Sequence, residues 1–509
     1  MRYLMILEVS QKQAYIFSST KLKDNIEHSN NICQVTDIQY FQTIADRAGI
    51  PFSEEDNLVY SGGGHTVLEF DSEKTARKFA YAVSRIVKQE FTEIALFIKV
   101  MEYDESKKPG ENLEQLTKRL EVKKSVRKAS FHQGSFGIER IEASARKPKA
   151  LEEQIDRIVY EGDKEYTPEG YKAPKKFGNL GNSKYSSSFI AVVHIDGNAM
   201  GKRVEQIRKE YDEKPWNEYK SILKRFSDSI DEDFKSAYRE MTDRAAVSLR
   251  EEAGDKLDLE HPYFPIRKII LAGDDVCFVT EGRIGLEAAR IFIEQLSKKK
   301  NRQDGQRYTA CAGVAIVHQK YPFYKAYELS EMLCSNAKSF ASSYGTDKKV
   351  CAIDWHIEFG ELVDSIEELR ENYITSDGCH LELRPYLLWA ESDVWEYERI
   401  RRYDNFKKLL CSIQQEEIAY AKGKLKEFRE ALRSGETTAK YYLESNLLEE
   451  LSLTGYEGIY KELELDKLFS GQGIERKVFV DTCDGKKRSL FFDSIEMMDT
   501  FVALENIEK

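Results

Sequence analysis

The sequence is poor in the features that mark secreted, zinc-stapled or membrane-bound chains. Its eight cysteines (33, 277, 311, 334, 351, 379, 411 and 483) are scattered without a C-x-x-C pair, and its eight histidines show no ligand spacing. Neither zinc nor a disulfide framework is expected, and the thiols read as reduced and buried. The opening MRYLMILEVSQKQAYIF breaks its apolar run after five residues, at Glu8. That is too short for a signal-peptide core or a membrane span, so a cytoplasmic chain with no membrane association is expected. Positive charge is not in excess either. A net charge of -11 argues against indiscriminate coating of nucleic acid, which depends on neutralising phosphates.

Apolar material is plentiful: 41% of residues are hydrophobic, with 28 Tyr and 26 Phe, which excludes a disordered protein. At roughly 100 to 200 residues per domain, 509 residues suggest three or four units. Charge is uneven along the chain. Residues 105 to 150 hold twelve Lys or Arg against six Glu, including Lys123, Lys124, Arg127, Lys128, Arg146, Lys147 and Lys149. Such a run is either a solvated helical face or a patch facing RNA or a nucleotide.

Residues 3 to 9 (YLMILEV) read as a buried strand. LVYS then runs into the glycine turn Ser61-Gly62-Gly63-Gly64, and TVLEF resumes as the second arm of a hairpin. A helix is predicted from Ser72 to about Phe91, with Ala76, Phe79, Ala80, Val83 and Ile86 on one side, and ALFIKVMEY closes the unit as a strand. The same order recurs as the strand FIAVVHID, a long periodic helix through Phe226, Ile230, Phe234 and Tyr238, the hairpin 266 to 281, a helix, the strand 308 to 318, and a helix. The reading is an α+β chain carrying two divergent copies of one unit, at 1–104 and 187–357. Between them lies a basic insert and linker (105–186), and residues 358–509 are read as α-helical.

The second copy carries the chemistry. A strand ending in Ile195-Asp196-Gly197-Asn198 places one carboxylate at its tip, and Gly273-Asp274-Asp275 places two more at a hairpin turn 78 positions later. Pairing of the two strands would gather three carboxylates, which repel unless a cation sits among them. Mg²⁺ (or Mn²⁺) fits, because it prefers oxygen ligands and completes its shell with substrate phosphates. Asp196, Asp274 and Asp275, with the backbone of Gly197, are therefore the candidate catalytic and metal residues, suited to attack of a 3′-hydroxyl on an α-phosphate. Lys338, on the helix after the 308–318 strand, is either a triphosphate contact or an exposed helix lysine.

These residues resemble the catalytic palm of the nucleotidyl cyclases, and more closely the large polymerase-cyclase subunit of type III CRISPR effector complexes, the Cas-ten family. The resemblance rests on IDGNAMGK (195–202), FSDSI, PIRKIILAGDDV (265–276), ACAGVAIVHQKYPFYKAYELSEMLCSNAK (310–338), AIDWH (352–356), Arg370 and Leu383-Arg384-Pro385-Tyr386. At the N-terminus, SQKQAYIFSSTKLKDNIEHSNNI (10–32) and YSGGGHTVLEF resemble that family's opening stretch and the hairpin of its degenerate first palm. The resemblance implies two ferredoxin-like palms and synthesis of cyclic oligoadenylates from ATP for antiviral defence. Nucleotide contacts would come from Lys338, Gly273, Asn198, Gly201, Lys202, Ser61, Gly62, Gly63 and Gly64. It also implies guide or target RNA and other complex subunits as partners, with a catalytically silent RNA-binding scaffold as the competing reading. Two departures stand out. Ala272 replaces the first glycine of the family's Gly-Gly-Asp-Asp, with the turn expected to survive, and no His-Asp dipeptide is present, so no DNase activity is expected.

Overall fold

The computed structural model describes residues 1–126 except 63 and 92, the short strands 141–142 and 147–148, and residues 164–180, 188–257, 259, 262–345, 348–360, 364–414, 422–445, 478–482 and 484–505. The hairpin residue Gly63 and much of the basic insert, including Arg127, Lys128, Arg146 and Lys149, lie outside the described residues.

In the N-terminal unit, β1 (Tyr3–Ser10), β2 (Leu58–Gly62), β3 (His65–Phe70) and β4 (Ala95–Glu102) pair antiparallel in the order β2-β3-β1-β4. Helices α1 (Lys12–Ile16), α2 (Leu22–Val35) and α3 (Ile38–Ala48) join β1 to β2, and α4 (Glu73–Glu90) joins β3 to β4. The predicted α4 cap is present, with the Ser72 hydroxyl accepting from the Thr75 amide at 3.1 Å. Ala76, Phe79, Val83 and Val87 are fully buried, while Ala80 and Ile86 are partly so. Beyond β4, the basic helix α5 (Pro109–Val126) folds back onto the sheet with Leu113, Leu116 and Leu120 in the core, and Lys124 ion-pairs with Glu8 of β1 at 2.8 Å.

The second sheet is built from β5 (Phe189–Gly197), β6 (Ile266–Ala272), β7 (Asp275–Glu281), β8 (Ala310–His318), β9 (Val350–Glu358) and β10 (Tyr386–Ala390), in the order β10-β9-β8-β5-β7-β6. The run β8-β5-β7-β6 repeats β4-β1-β3-β2, so both units share the ferredoxin-like order and the fold is α+β with tandem palms. The helices of the second unit are α6 (Met200–Tyr211), α7 (Trp216–Arg250), α8 (Gly285–Ser297) and α9 (Phe323–Ser342). This sheet reaches past residue 357. β9 lies parallel to β8, and β10 closes that edge in a stretch read from sequence as helical.

The two palms interlock. On β5, Ala191, Val193 and Ile195 face the core formed with α7 and α8, whereas Ile190 and Val192 face a core shared with Phe17, Leu22 and Ile26 of the first palm. Helix α7, 35 residues and thus about 50 Å long, serves both units. Trp216, Tyr219 and Phe226 pack on the first sheet, and Phe234, Met241 and Leu249 on the second. The C-terminal helices Tyr403–Ile413, Lys422–Arg433 and Phe492–Met497 place Phe406, Leu425 and Phe492 in the second palm's core and have no separate one among the described residues. Glu287 on α8, fully buried, anchors them by accepting from Lys407 (2.6 Å) and Tyr403 (3.1 Å). A small hairpin, Phe479–Asp481 with Lys487–Ser489, interrupts the helical character expected there.

Helix α9 sits directly on β8 because Gly313 carries no side chain. A Cβ there would lie 2.0 Å from the Ser330 carbonyl oxygen and 2.3 Å from the Cys334 nitrogen. Gly313→Ala must push the helix off the sheet, and is expected to destabilise the protein by roughly 1–3 kcal/mol or more. A thermal transition at the wild-type temperature would contradict this packing account.

Candidate active site

Strand pairing assembles the acidic cluster. Asp196, next to last in β5, stands directly opposite Asp275, the first residue of β7, and Asp274 occupies the β6–β7 turn. The turn needs one left-handed residue, and Gly273 supplies it with φ 63°. Ala272 stays in the strand, opposite Asp275, so the expected survival of the turn without the first glycine is borne out. Gly197 is required for close approach: a Cβ there would meet Asp274 Cβ at 3.0 Å and Met200 Cε at 2.9 Å. Its amide donates to the Asp274 carbonyl at 3.3 Å, which ties the tip of β5 to the turn.

The charges are poorly compensated. Asp275 keeps 39% of its side chain exposed, yet its Oδ1 is closed to solvent and has no hydrogen-bond partner. Burial, then the negative charges of Asp196 and Asp274, push the Asp275 carboxyl up to about 7, with Lys12 pulling the other way. Asp274 is raised for the same reasons, burial first and Asp196 second. His194, two residues before Asp196 on the same strand face, puts Nδ1 3.8 Å from Asp275 Oδ1, and burial holds its ring at about 4, so it is neutral near pH 7. Lys338 reaches the cluster from α9, pairing with Asp196 Oδ2 and donating to the Gly197 carbonyl at 3.1 Å. Burial lowers the Lys338 ammonium, but Asp196 outweighs it and the net shift is upward.

Among the described residues no set of three or more His, Cys, Asp or Glu side chains stands at metal-holding spacing. The backbone brings the carboxylates together while the side chains remain splayed, with an ammonium on one of them. Mutual repulsion accounts for the splay, and the orphaned Asp275 Oδ1 fits a divalent cation as its missing partner.

Beside the cluster lies a pocket of about 330 Å³ lined by Asn198, Lys202, Arg203, Arg307, Lys338, Lys348 and Lys349, with no acidic side chain among its described lining residues. Arg203 is committed to Asp304 through two 2.8 Å bonds. Gly201 opens the first turn of α6 with clear space above it, and Lys202 is exposed, so an anion can approach this helix N-terminus. Asn198 is structural in its amide, which donates to the Val350 carbonyl at 2.8 Å. Arg370 and Arg384 are structural as well, paired with Asp354 (2.6 Å) and Glu496 (2.8 Å).

The first-palm hairpin is held within its own palm and against α7. The Ser61 hydroxyl bonds Thr66 Oγ1 at 2.9 Å, its carbonyl accepts from Ser227 on α7 at 2.5 Å, and Gly62 packs against that same serine. Gly64, with φ 80°, is covered by Lys12, a residue the sequence reading does not assign, as it does not assign His194. Period-two alternation along β5 puts His194 on Asp196's face and could have flagged it. No sequence signal places Lys12.

Residues 189–343 match the family model described as Cas10/Cmr2, second palm domain. The second unit is thus similar to a Cas10/Cmr2 second palm. No curated protein matches the chain. Among solved structures it is similar to the Csm1–Csm4 cassette in complex with cA4, with TM-score 0.51 and 16% identity over 84% of this chain and 62% of the other. The apo cassette gives TM-score 0.51 and 14% identity over 91% and 70%. The chain thus spans 62% of the length of the first of these matched chains. At such identities the likeness shows the fold, and the Cas10/Cmr2 palm supplies the family resemblance. Among the described residues no helix is long and apolar enough to cross a membrane.

The raised Asp275 predicts a pH dependence. Its folded-state value, about 7, lies above the ordinary 3.8, so the ionised form is disfavoured by the fold. The cost is absent below the ordinary value and complete above about 7. In metal-free protein, Asp275→Asn should therefore raise Tm at about pH 8 and leave it unchanged near pH 4. Thermal melts showing a pH-independent difference would contradict the burial-and-repulsion account.

Proposed function

We propose that the chain is a nucleotidyltransferase that joins ATP into cyclic or linear oligoadenylates, acting in CRISPR-type antiviral defence. The observation that carries this reading is the convergence of Asp196, Asp274 and Asp275 at paired strand ends of a Cas10/Cmr2 palm, with a buried carboxylate oxygen left without a partner. Support for the substrate class comes from the cassettes that share the fold, which are solved with cA4 and with pppApA. Guide or target RNA and further complex subunits are proposed as partners on the same family grounds.

Mg²⁺ or Mn²⁺ would be held by Asp196, Asp274, Asp275 and the backbone of Gly197. When bound, it neutralises the carboxylates and withdraws charge from the phosphates. The chain's own groups do the rest. Lys338, released from Asp196, would meet the triphosphate as a point charge. Lys202 and the first turn of α6 offer further positive potential along the basic pocket. In the proposed step a 3′-oxygen bonds the α-phosphorus of a second ATP, the α–β bridging bond breaks, pyrophosphate leaves, and the hydroxyl proton passes to solvent. Near pH 7 His194 is neutral and serves to wall off Asp275 rather than to donate a charge.

Asp274→Ala combined with Asp275→Ala should abolish nucleotide products while the protein remains folded, and Asp196→Asn should do nearly the same. Lys338→Ala should lower kcat/KM for ATP by about 10²-fold without eliminating product. Mass analysis of products from ATP with Mg²⁺ or Mn²⁺ reads all three. Undiminished synthesis in the double variant would refute the assignment and favour a silent scaffold.

A further inference from the structure

Helix α1 of the first palm docks on α9, the helix that carries Lys338. Gln13 Nε2 donates to the Tyr327 hydroxyl and to Glu331 Oε1, both at 2.9 Å, and the Phe17 ring stacks on Tyr327 at 4.0 Å between centroids. The left-handed Gln11, φ 54°, turns the chain sharply from β1 into α1, so the next residue, Lys12, lies over the tip of the glycine hairpin. A Cβ on Gly64 would fall 2.6 Å from both Cε and Nζ of Lys12. Glycine is therefore needed there to seat the lysine.

The same docking brings α1 to the side of the acidic cluster: Tyr327, the partner of Gln13, stands edge-on to His194 at 5.5 Å between ring centroids, and His194 Nδ1 lies 3.8 Å from Asp275 Oδ1. Lys338 approaches the cluster at Asp196 and the Gly197 carbonyl. One ammonium thus addresses the β5 end of the acidic cluster, and another, from the other palm, addresses the β6–β7 turn. The charged groups around Lys12 include Glu8 on β1, Lys124 from α5, and the two aspartates. His65 and Arg208 stand in the same neighbourhood. Coupling two ATP molecules brings two triphosphates to one set of carboxylates, and each needs a counter-charge.

We propose that Lys12 is the phosphate-binding cation of the second nucleotide, the one whose 3′-hydroxyl attacks, so that the first palm completes the site with a lysine held on Gly64. The inference rests on the nucleotidyltransferase reading and adds to it a specific residue for the acceptor. Burial lowers the Lys12 ammonium against the pull of Glu8, Asp275 and Asp274, which suits a cation that gains by meeting a phosphate.

The test is calorimetric titration of the full chain with a non-hydrolysable ATP analogue in Mn²⁺. The wild type should bind two equivalents. Lys12→Gln should keep one at wild-type affinity and weaken the other by about tenfold or more, as loss of a charge-assisted phosphate contact implies. Lys12→Arg should restore the second equivalent, a rescue that a merely structural role would not require, and wild-type melting of Lys12→Gln would show that the fold is intact. Two equivalents at unchanged affinity in Lys12→Gln would overturn the role of Lys12 and leave the nucleotidyltransferase reading standing. A wild type that binds no analogue would overturn both.

Discussion

Three carboxylates held at adjacent strand ends, with too little positive charge to offset them, are the constraint on which the rest of the molecule depends. Asp196 and Asp275 stand directly opposite each other by strand register. The fold tolerates this because the surrounding structure over-determines it. Gly197 and Gly273 remove the steric objections to a tight approach, the buried strands β5 and β7 fix the register, and Lys338 partly neutralises Asp196. Strain of this kind is retained where a ligand relieves it.

Interlocking of the palms follows from how each sheet covers its second face. A four-stranded sheet with helices on one side exposes the other, and each palm here uses elements of its neighbour for that purpose. The first half of α7 and α6 cover the first sheet, and α1 and α2, beside the second palm's own α9, cover the other. The seam this creates runs beside the acidic cluster. Ser61 bonding Ser227 and Gln13 bonding Glu331 are contacts across it. Any movement between the palms would alter the space in front of Asp274 and Asp275.

Much of this was legible in the sequence, for identifiable reasons. Strands such as FIAVVHID and hairpins such as KIILAGDDVCFVT carry both a periodicity and a turn signal, and the α4 cap at Ser72 obeys a local rule. That Asp196 meets Asp275 was legible because hairpin order determines which strand ends pair. What escaped depends on tertiary placement. Tyr386–Ala390 is short and follows a helical stretch, and only pairing with Val350–Ile353 makes it a strand. Lys12 lies in a run of polar residues that nothing local distinguishes, and the left-handed Gln11 that aims it has no sequence signature. Lys338, which the sequence leaves as either a triphosphate contact or an exposed helix lysine, pairs with Asp196, a contact that only the packing of α9 on β8 creates.

The central claim is that the acidic cluster is completed by a divalent cation together with a nucleotide. A crystal structure of the chain grown with Mn²⁺ and a non-hydrolysable ATP analogue, with data collected at the manganese absorption edge, tests it most directly. The account predicts an anomalous peak among Asp196, Asp274 and Asp275, at about 2.0–2.2 Å from their oxygens, with Lys338 moved from Asp196 onto phosphate. A nucleotide-bound structure with no peak there, and with Lys338 still paired to Asp196, would contradict it.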